Sequence, residues 1–381
     1  MNAFVALSEL VPKPGETADW KAFVEIIPSL STLDQTPQDA RWHAEGDVGT
    51  HTRRVCAEVA RLDDYGRADE DTRFVLFYAA LLHDIAKPSC TRHEPDGSIT
   101  SAGHSRRGSI DSRILLWRLA IPFTLRERIC RIIAAHQKPF FTIQGDYSGR
   151  SPEYLIRKLS YEANLRELIC VAEADGRGRI CDNWQETLDN VALFRELAIE
   201  EGCLDSPRAF ADDHTRISYF RSNGAISPDY PFFQEKGSSV IMMAGTPASG
   251  KDTWIAANAQ GLPVVSFDDM REELGLSYGD NAGTVTQKTL DKARELLRRQ
   301  TPFVWNATHL SAQMRKKTLD LLYAYHADVT IVYLESPENV IKTRNAKRDT
   351  TLTNARIDTM LQRWEVPLPT EAHRVDYLVA S

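Results

Sequence analysis

The stretch that most constrains this chain is SSVIMMAGTPASGKDTW, residues 238–254. An apolar run, Val240–Ala244, leads into a Gly-rich turn and then a helix start. Gly245, Gly250 and Lys251 satisfy G-x-x-x-x-G-K. In that strand–loop–helix pattern backbone N–H groups approach phosphate oxygens and the helix N-terminus adds a positive field. The pattern commits the rest of the region to βαβ units. "LPVVSFD", "TPFVWNAT" and "ADVTIVYLES" are short apolar runs separated by helical stretches, as in a parallel sheet. The candidate nucleotide-binding set is Gly245, Thr246, Pro247, Ala248, Ser249, Gly250, Lys251, Asp252 and Thr253, with Lys251 reaching the β and γ phosphates. Asp252 stands where a magnesium-binding Ser or Thr is usual. Either Asp252 ligates the ion, or Thr253 and water do.

The first 200 residues have another character. Apolar residues recur at helical spacing over 51–64, 72–86, 104–119, 124–136 and 152–174, and residues 184–202 read as a further helix. In "DTRFVLFYAALLHDIAKP" the pattern runs without interruption until Pro88 stops it. Residues 203–237 mix Ser, Pro, Asp, Gly and aromatics and read as a connector whose aromatics pack on something. The expected architecture is two domains: an all-α bundle over 1–202, then an α/β domain with a parallel sheet over 238–381. A chain of 381 residues can hold two cores.

Composition narrows the function classes. The net charge is −7, and from residue 238 onward 17 Lys and Arg balance 17 Asp and Glu, so the first part carries the deficit. That is not the basic balance of a duplex-binding protein, though a few local cations suffice to grip one nucleic-acid end. No window approaches the ~18 consecutive apolar residues of a membrane span, so no membrane partner is expected. The start, MNAFVALSELVPKPGE, lacks the basic region of a signal peptide. Six cysteines are scattered without a C-x-x-C pair, which fits reduced thiols and a cytoplasmic location.

Six of the ten histidines precede residue 137. His51 lies at a helix start, His83 and Asp84 at a helix end, His104 in "GHSRRG", His136 at the end of "RIIAAH", and Asp175 in "EADGRGR". A helical bundle can bring such positions to one centre. Neutral imidazole with carboxylate suits divalent transition metals, and a bound ion of that kind makes hydroxide available at neutral pH. Lys87, Arg106, Arg107, Arg177 and Arg179 lie near these positions in sequence and are candidate phosphate binders. His43 is a candidate substrate contact or cap.

In the second domain, "VVSFDDMREELG" places Asp268 and Asp269 at a strand end and Arg271 in the helix that follows. A carboxylate there can accept a proton from an attacking hydroxyl; the same pair can also cap the helix. "VYLESPENVIKTRNAKRDT" carries Arg344 and Arg348 four residues apart. Arg315, Lys316 and Lys317 read as surface charge, and Arg294, Arg298 and Arg299 as a solvated helix face.

The His and Asp pattern resembles the HD phosphohydrolase superfamily, in which His51, His83, Asp84 and Asp175 match the four core ligands. His104 and His136 match the two extra ligands of its two-metal members, with Asp84 bridging. "TPQDARWHAEGDVGTHT", "LLHDIAKP", "GHSRRG" and "EADGRGR" together look like the HD domain fused to some tRNA nucleotidyltransferases, which acts on 2′,3′-cyclic and 2′-phosphates. The nucleotidyltransferase core is lacking here, so nucleotide addition is not implied. The Asp-Asp-x-Arg stretch resembles the kinase domain of phage-type polynucleotide kinases. That likeness implies Asp268 as general base, Arg271 as acceptor-phosphate ligand, and Arg344 and Arg348 as lid residues reaching the transferring phosphoryl group.

Taken together, the chain resembles bacterial fusions of an HD domain with a polynucleotide kinase that heal broken RNA ends. The resemblance implies ATP or another NTP with Mg2+ in the kinase, and one or two divalent transition metals (Mn, Co, Ni, Fe or Zn) in the HD domain. RNA or DNA ends are the expected substrates and an RNA ligase a candidate partner. The oligomeric state is left open. The rival expectation is a small-molecule nucleotide phosphohydrolase joined to a metabolite kinase.

Overall fold

In the computed structural model, residues 3–144, 149–277, 280–347 and 352–380 are described. The chain divides into two compact units, Met1–Ala209 and Phe210–Ser381.

The first unit is a helical bundle. Helix α1 (Val48–Val59) is started by Asp47, whose carboxylate accepts the Thr50 N–H at 2.7 Å. Helix α2 (Glu70–Leu82) is capped in the same way by Asp69, and Glu70 and Asp71 in its first turn complement the helix dipole. Every residue from Phe74 to Leu82 is buried, so α2 runs through the middle of the core. Helices α3 (His104–Arg118) and α4 (Phe123–Ala135) follow, joined by a four-residue turn. They are fastened by a buried ion cluster in which Arg113 Nε and Arg126 Nε donate to Glu127 Oε1 at 3.0 and 2.9 Å.

The helix expected over 152–174 is two helices, because the chain breaks at Ala163–Asn164. Asn164 caps α5 (Leu165–Gly178) by accepting the Glu167 N–H at 3.1 Å. Helix α5 packs on α1 closely enough that a Cβ on Gly178 would lie 2.7 Å from Val55 Cγ2. Short helices at Ala3–Glu9 and Trp20–Ile26 and a 3-10 segment at Pro28–Gln35, none of them expected, cover the core with Leu7, Phe23, Leu30 and Leu33.

The second unit begins inside the segment read as a connector. Helix α6 (Asp213–Arg221) is capped by Asp212. Arg216 on α6 donates to the carbonyls of Pro369, Ala372 and His373, and His214 stacks on His373. The aromatic tail of the segment is tied down by Phe232 N to Thr215 Oγ1 at 2.9 Å.

The sheet has strands β1 (Ser239–Gly245), β2 (Val264–Ser266), β3 (Phe303–Asn306), β4 (Asp328–Glu335) and β5 (Arg374–Val379). Their order is β2-β3-β1-β4-β5 and all pairs are parallel. Four of these strands match the apolar runs of the sequence; β5 was not expected. Helices α7 (Lys251–Asn258), α8 (Phe267–Glu273), α9 (Ala282–Arg298), α10 (Ala312–Tyr323), α11 (Glu338–Ala346) and α12 (Asn354–Leu361) alternate with the strands. Parallel strands covered by helices are apolar on both faces, which is why β1 and β4 read as continuous hydrophobic runs.

Arg315 corrects the expectation of surface charge. Its side chain is 1% exposed, it forms a two-bonded ion pair with Glu371 at 2.6 and 2.9 Å, and it donates to the carbonyls of His309 and Glu365. A guanidinium can be buried where its nitrogens find acceptors, as all three do here.

Candidate functional site

The first unit brings all six expected metal-ligand residues together. In the antiparallel pair α3/α4 the N-terminus of one helix adjoins the C-terminus of the other. His104, the first residue of α3, and His136, the residue after α4, therefore meet with Nε2 atoms 3.4 Å apart. His83 and Asp84 follow the C-terminus of α2, His51 sits in the first turn of α1, and Asp175 comes from α5. All six are buried.

The ring orientations are set from behind. His83 Nδ1, His104 Nδ1 and His136 Nδ1 each lie 2.7 Å from the carbonyl three residues earlier, of Ala80, Ser101 and Ile133. That contact fixes the proton on Nδ1 and turns an Nε2 lone pair toward the centre, the usual arrangement of a metal-ligating histidine.

Two triads result. Ligand atoms of His51, His83 and Asp175 lie within 4.8 Å of one another, and so do those of Asp84, His104 and His136. Asp84 faces both, with Oδ2 3.1 Å from His83 Nε2 and Oδ1 3.3 Å from His104 Nε2. His83 Nε2 and both Asp84 oxygens are buried and make no well-aligned hydrogen bond, although the Lys87 ammonium forms an ion pair with Asp84 Oδ2. Buried polar atoms are rarely left so, and a cation held between them would satisfy all three.

The electrostatics agree with a cation site. Burial alone would raise the Asp84 carboxyl, but its neighbours His83, Lys87 and His104 favour the anion and hold it well below its ordinary value. Burial also opposes ionisation of Asp175, and Arg179 and His51 overcome it. Burial pushes His136 down to about 3, so its imidazole stays neutral and ready to ligate.

Of the expected phosphate binders, two sit in the cluster. Lys87 Nζ is 2.7 Å from Asp84 Oδ2, and Arg179 makes a two-bonded ion pair with Asp175 at 2.9 and 3.0 Å. Arg106 is exposed and Arg107 is held by Asp111 on its own helix. Arg177 and Arg179 also line an open cleft with Cys181 and Trp184.

Glu45 was not singled out from the sequence. Its Oε1 lies 2.8 Å from His43 Nδ1 and 2.9 Å from His51 Nδ1, and its Oε2 accepts the Ile180 N–H at 2.8 Å. It braces His51 from behind and ties down His43. The only sequence signal was its place between His43 and His51.

The second unit carries the phosphate loop. Gly245 has φ +134°, and a Cβ there would lie 2.0 Å from Leu334 O, so only glycine fits. Ala248 and Gly250 are also at positive φ, and such alternations of hand turn successive N–H groups into one concavity. Lys251 opens α7 with Nζ 2.8 Å from Thr246 O. Arg344 of α11 reaches the loop, its Nη1 donating to Ser249 O at 3.3 Å and to Ser336 Oγ at 3.2 Å. Arg348 lies outside the described residues.

Asp268 and Asp269 do not cap α8. Ser266 does, its Oγ accepting both of their N–H groups at 3.2 Å. The Asp268 side chain is 88% exposed and pairs with Arg271 Nη1 at 3.3 Å.

Comparison with known proteins agrees with this anatomy. Residues 48–177 match the HD domain family and residues 240–367 an AAA domain family. A curated relative, the multifunctional CCA protein of Ralstonia nicotianae, is 26% identical over 206 residues, covering 52% of this chain and 44% of that protein. The chain thus spans less than half of that relative's length. Among solved structures, a chain of the Pnkp1/Rnl/Hen1 complex is 19% identical, with 33% of this chain and 44% of that one covered at a TM-score of 0.28. A sugar kinase from Janibacter sp. HTCC2649 is also 19% identical, with 37% and 85% covered at a TM-score of 0.29. The chain joins an HD domain to a P-loop kinase-like domain.

Proposed function

We propose that this chain heals nucleic-acid ends: its HD domain removes a 2′,3′-cyclic, 2′- or 3′-phosphate, and its kinase domain phosphorylates a 5′-OH from an NTP. The observation that carries the proposal is the chemistry paired in one chain. A buried double triad of imidazole and carboxylate suits phosphate removal, and a phosphate loop followed by an Asp–Arg pair suits phosphate addition. The products, a 3′-OH and a 5′-phosphate, are the two ends a ligase joins, so an RNA ligase is the partner this reading favours.

In the HD domain, His51, His83 and Asp175 would hold one divalent transition metal and Asp84, His104 and His136 a second, with Asp84 shared. Bound there, such ions supply an activated water and polarise phosphoryl oxygens. The protein's own groups do the rest. Ala80, Ser101 and Ile133 carbonyls keep three imidazoles in the ligating tautomer. Lys87 and Arg179 offer positive charge to a phosphate at the cluster. The adjoining cleft offers the Trp184 ring, nearly half exposed, to a terminal base.

In the kinase domain the loop N–H groups and Lys251 hold the NTP phosphates. Asp268 takes the proton of the 5′-OH, Arg271 holds the acceptor strand, and Arg344 with Arg348 stabilises the charge of the transferring group. An exposed Asp268 suits an acceptor that is the end of a long strand.

Competition tests this against the small-molecule alternative. A 5′-OH oligoribonucleotide should be phosphorylated in preference to a nucleoside or a sugar at equal concentration, and the reaction should be lost in Lys251→Ala and Asp268→Ala. Preference for the small acceptor, or phosphorylation retained in a clean Lys251→Ala preparation, would sink the assignment.

A further inference from the structure

The residue after a P-loop lysine ordinarily supplies a hydroxyl to the nucleotide's Mg2+, and an aspartate of a neighbouring strand supplies a carboxylate. Here the residue after Lys251 is Asp252, in the first turn of α7. Asn306 closes β3, the strand paired with β1, which leads into the loop. Asn306 Nδ2 donates to Asp252 Oδ1 at 2.8 Å. The carboxylate therefore sits on the helix and an amide on the strand, in contact.

We propose that the two positions have exchanged roles: Asp252 is the carboxylate that binds the nucleotide's Mg2+, and Asn306 orients it. This rests on the nucleotide-site reading above. The pair keeps the single negative charge of the ordinary hydroxyl–carboxylate set. It also keeps a hard oxygen donor, the Asp252 carboxylate, which is what Mg2+ takes. The amide donates to one carboxylate oxygen and so holds the carboxylate plane, as outer-layer hydrogen bonds do at metal sites.

The arrangement has a consequence that the ordinary set lacks. A hydroxyl beside the phosphates is neutral, whereas Asp252 is an anion next to an anion-binding loop. Without Mg2+ it repels the nucleotide; with Mg2+ it attracts the complex. Asp252 therefore makes nucleotide affinity depend steeply on the cation.

The test is calorimetric titration of ADP into the full chain in Mg2+ and in EDTA. The variants are Asp252→Asn, Asp252→Ser and Asp252→Ser with Asn306→Asp, with Lys251→Ala defining binding at this loop. The expected result is that Asp252→Asn binds ADP more tightly than wild type in EDTA and more weakly in Mg2+. The Mg2+-dependent gain should shrink by about tenfold or more, and the double variant, which restores the ordinary order, should regain it. Binding retained in EDTA shows that each variant's loop is folded. A wild-type Mg2+ gain surviving in Asp252→Asn, or a double variant no better than Asp252→Ser, overturns the exchange alone. Failure of wild type to bind ADP in Mg2+, or binding unchanged in Lys251→Ala, overturns the nucleotide-site reading and the exchange with it.

Discussion

The two sites of this chain are built on opposite plans. In the HD domain the chemistry lies in buried side chains, gathered from five places in sequence and braced from behind by carbonyls and Glu45. In the kinase domain the cradle is backbone, and the Asp268 side chain that would act on the acceptor stands mostly in solvent. The first site is pre-organised by the core. The second has a backbone half, the loop, and an open half, the exposed Asp268 with Arg271. Damage to packing should therefore reach the first site readily, while the second should respond to single charged side chains.

The largest effect is expected at Arg344. Arginines that stabilise the transferring phosphoryl group are worth about 10³-fold or more in rate. Arg344→Ala should lower kcat for 5′ phosphorylation on that scale with little change in ADP affinity. A loss seen only in nucleotide affinity would make Arg344 part of the loop half instead.

Next is Glu127, which holds α3 to α4 and so sets His104 against His136. Glu127→Ala removes the carboxylate that the buried Arg113 and Arg126 share, and breaking a buried ion pair costs about 3–5 kcal/mol. Urea unfolding should show the loss in the HD domain, with the kinase domain's transition unmoved.

The same residue predicts acid behaviour. Burial opposes ionisation of Glu127, but Arg113 and Arg126 dominate and hold its carboxyl down to about 2. A depressed carboxyl contributes fully above its unfolded value of about 4.5 and loses that contribution as pH falls toward 2. The HD transition should weaken over that window in wild type and less in Glu127→Gln.

A smaller effect is expected at Glu45. Partners behind a ligating histidine typically carry 10–100-fold in metal affinity. Glu45→Gln should weaken transition-metal binding by about that factor without unfolding the domain. An unchanged affinity would show that His51 is held by packing alone.

The smallest concerns Ser266. Removing a helix cap costs about 1 kcal/mol. Ser266→Ala should lower kinase-domain stability by that amount and raise KM for the acceptor through its hold on Asp268.

Much of this was legible in the sequence because it is local. The loop needs Gly245 and Gly250 at fixed offsets, and a histidine at a helix end announces itself by where the apolar pattern stops. Residues whose roles come from distant partners were not legible. Glu45 lies in a loop with no periodicity, where a glutamate is ordinarily solvated. Arg315 sits in the charged run Arg315–Lys317, and only Glu371, far along the chain, shows why it is buried. The break at Asn164 interrupts a helical pattern that otherwise continues across it, and β5 is half exposed, so its apolar residues form no marked run.

The central claim, two opposite phosphate chemistries serving one substrate, is tested most directly with a single oligoribonucleotide. It should carry a 5′-OH and a 2′,3′-cyclic phosphate, and both ends should be followed with ATP, Mg2+ and Mn2+. The account predicts that wild type changes both ends, Asp84→Ala phosphorylates the 5′ end only, and Lys251→Ala opens and removes the 3′ phosphate only. Both ends left unchanged by wild type, while free nucleotides react under the same conditions, would contradict it.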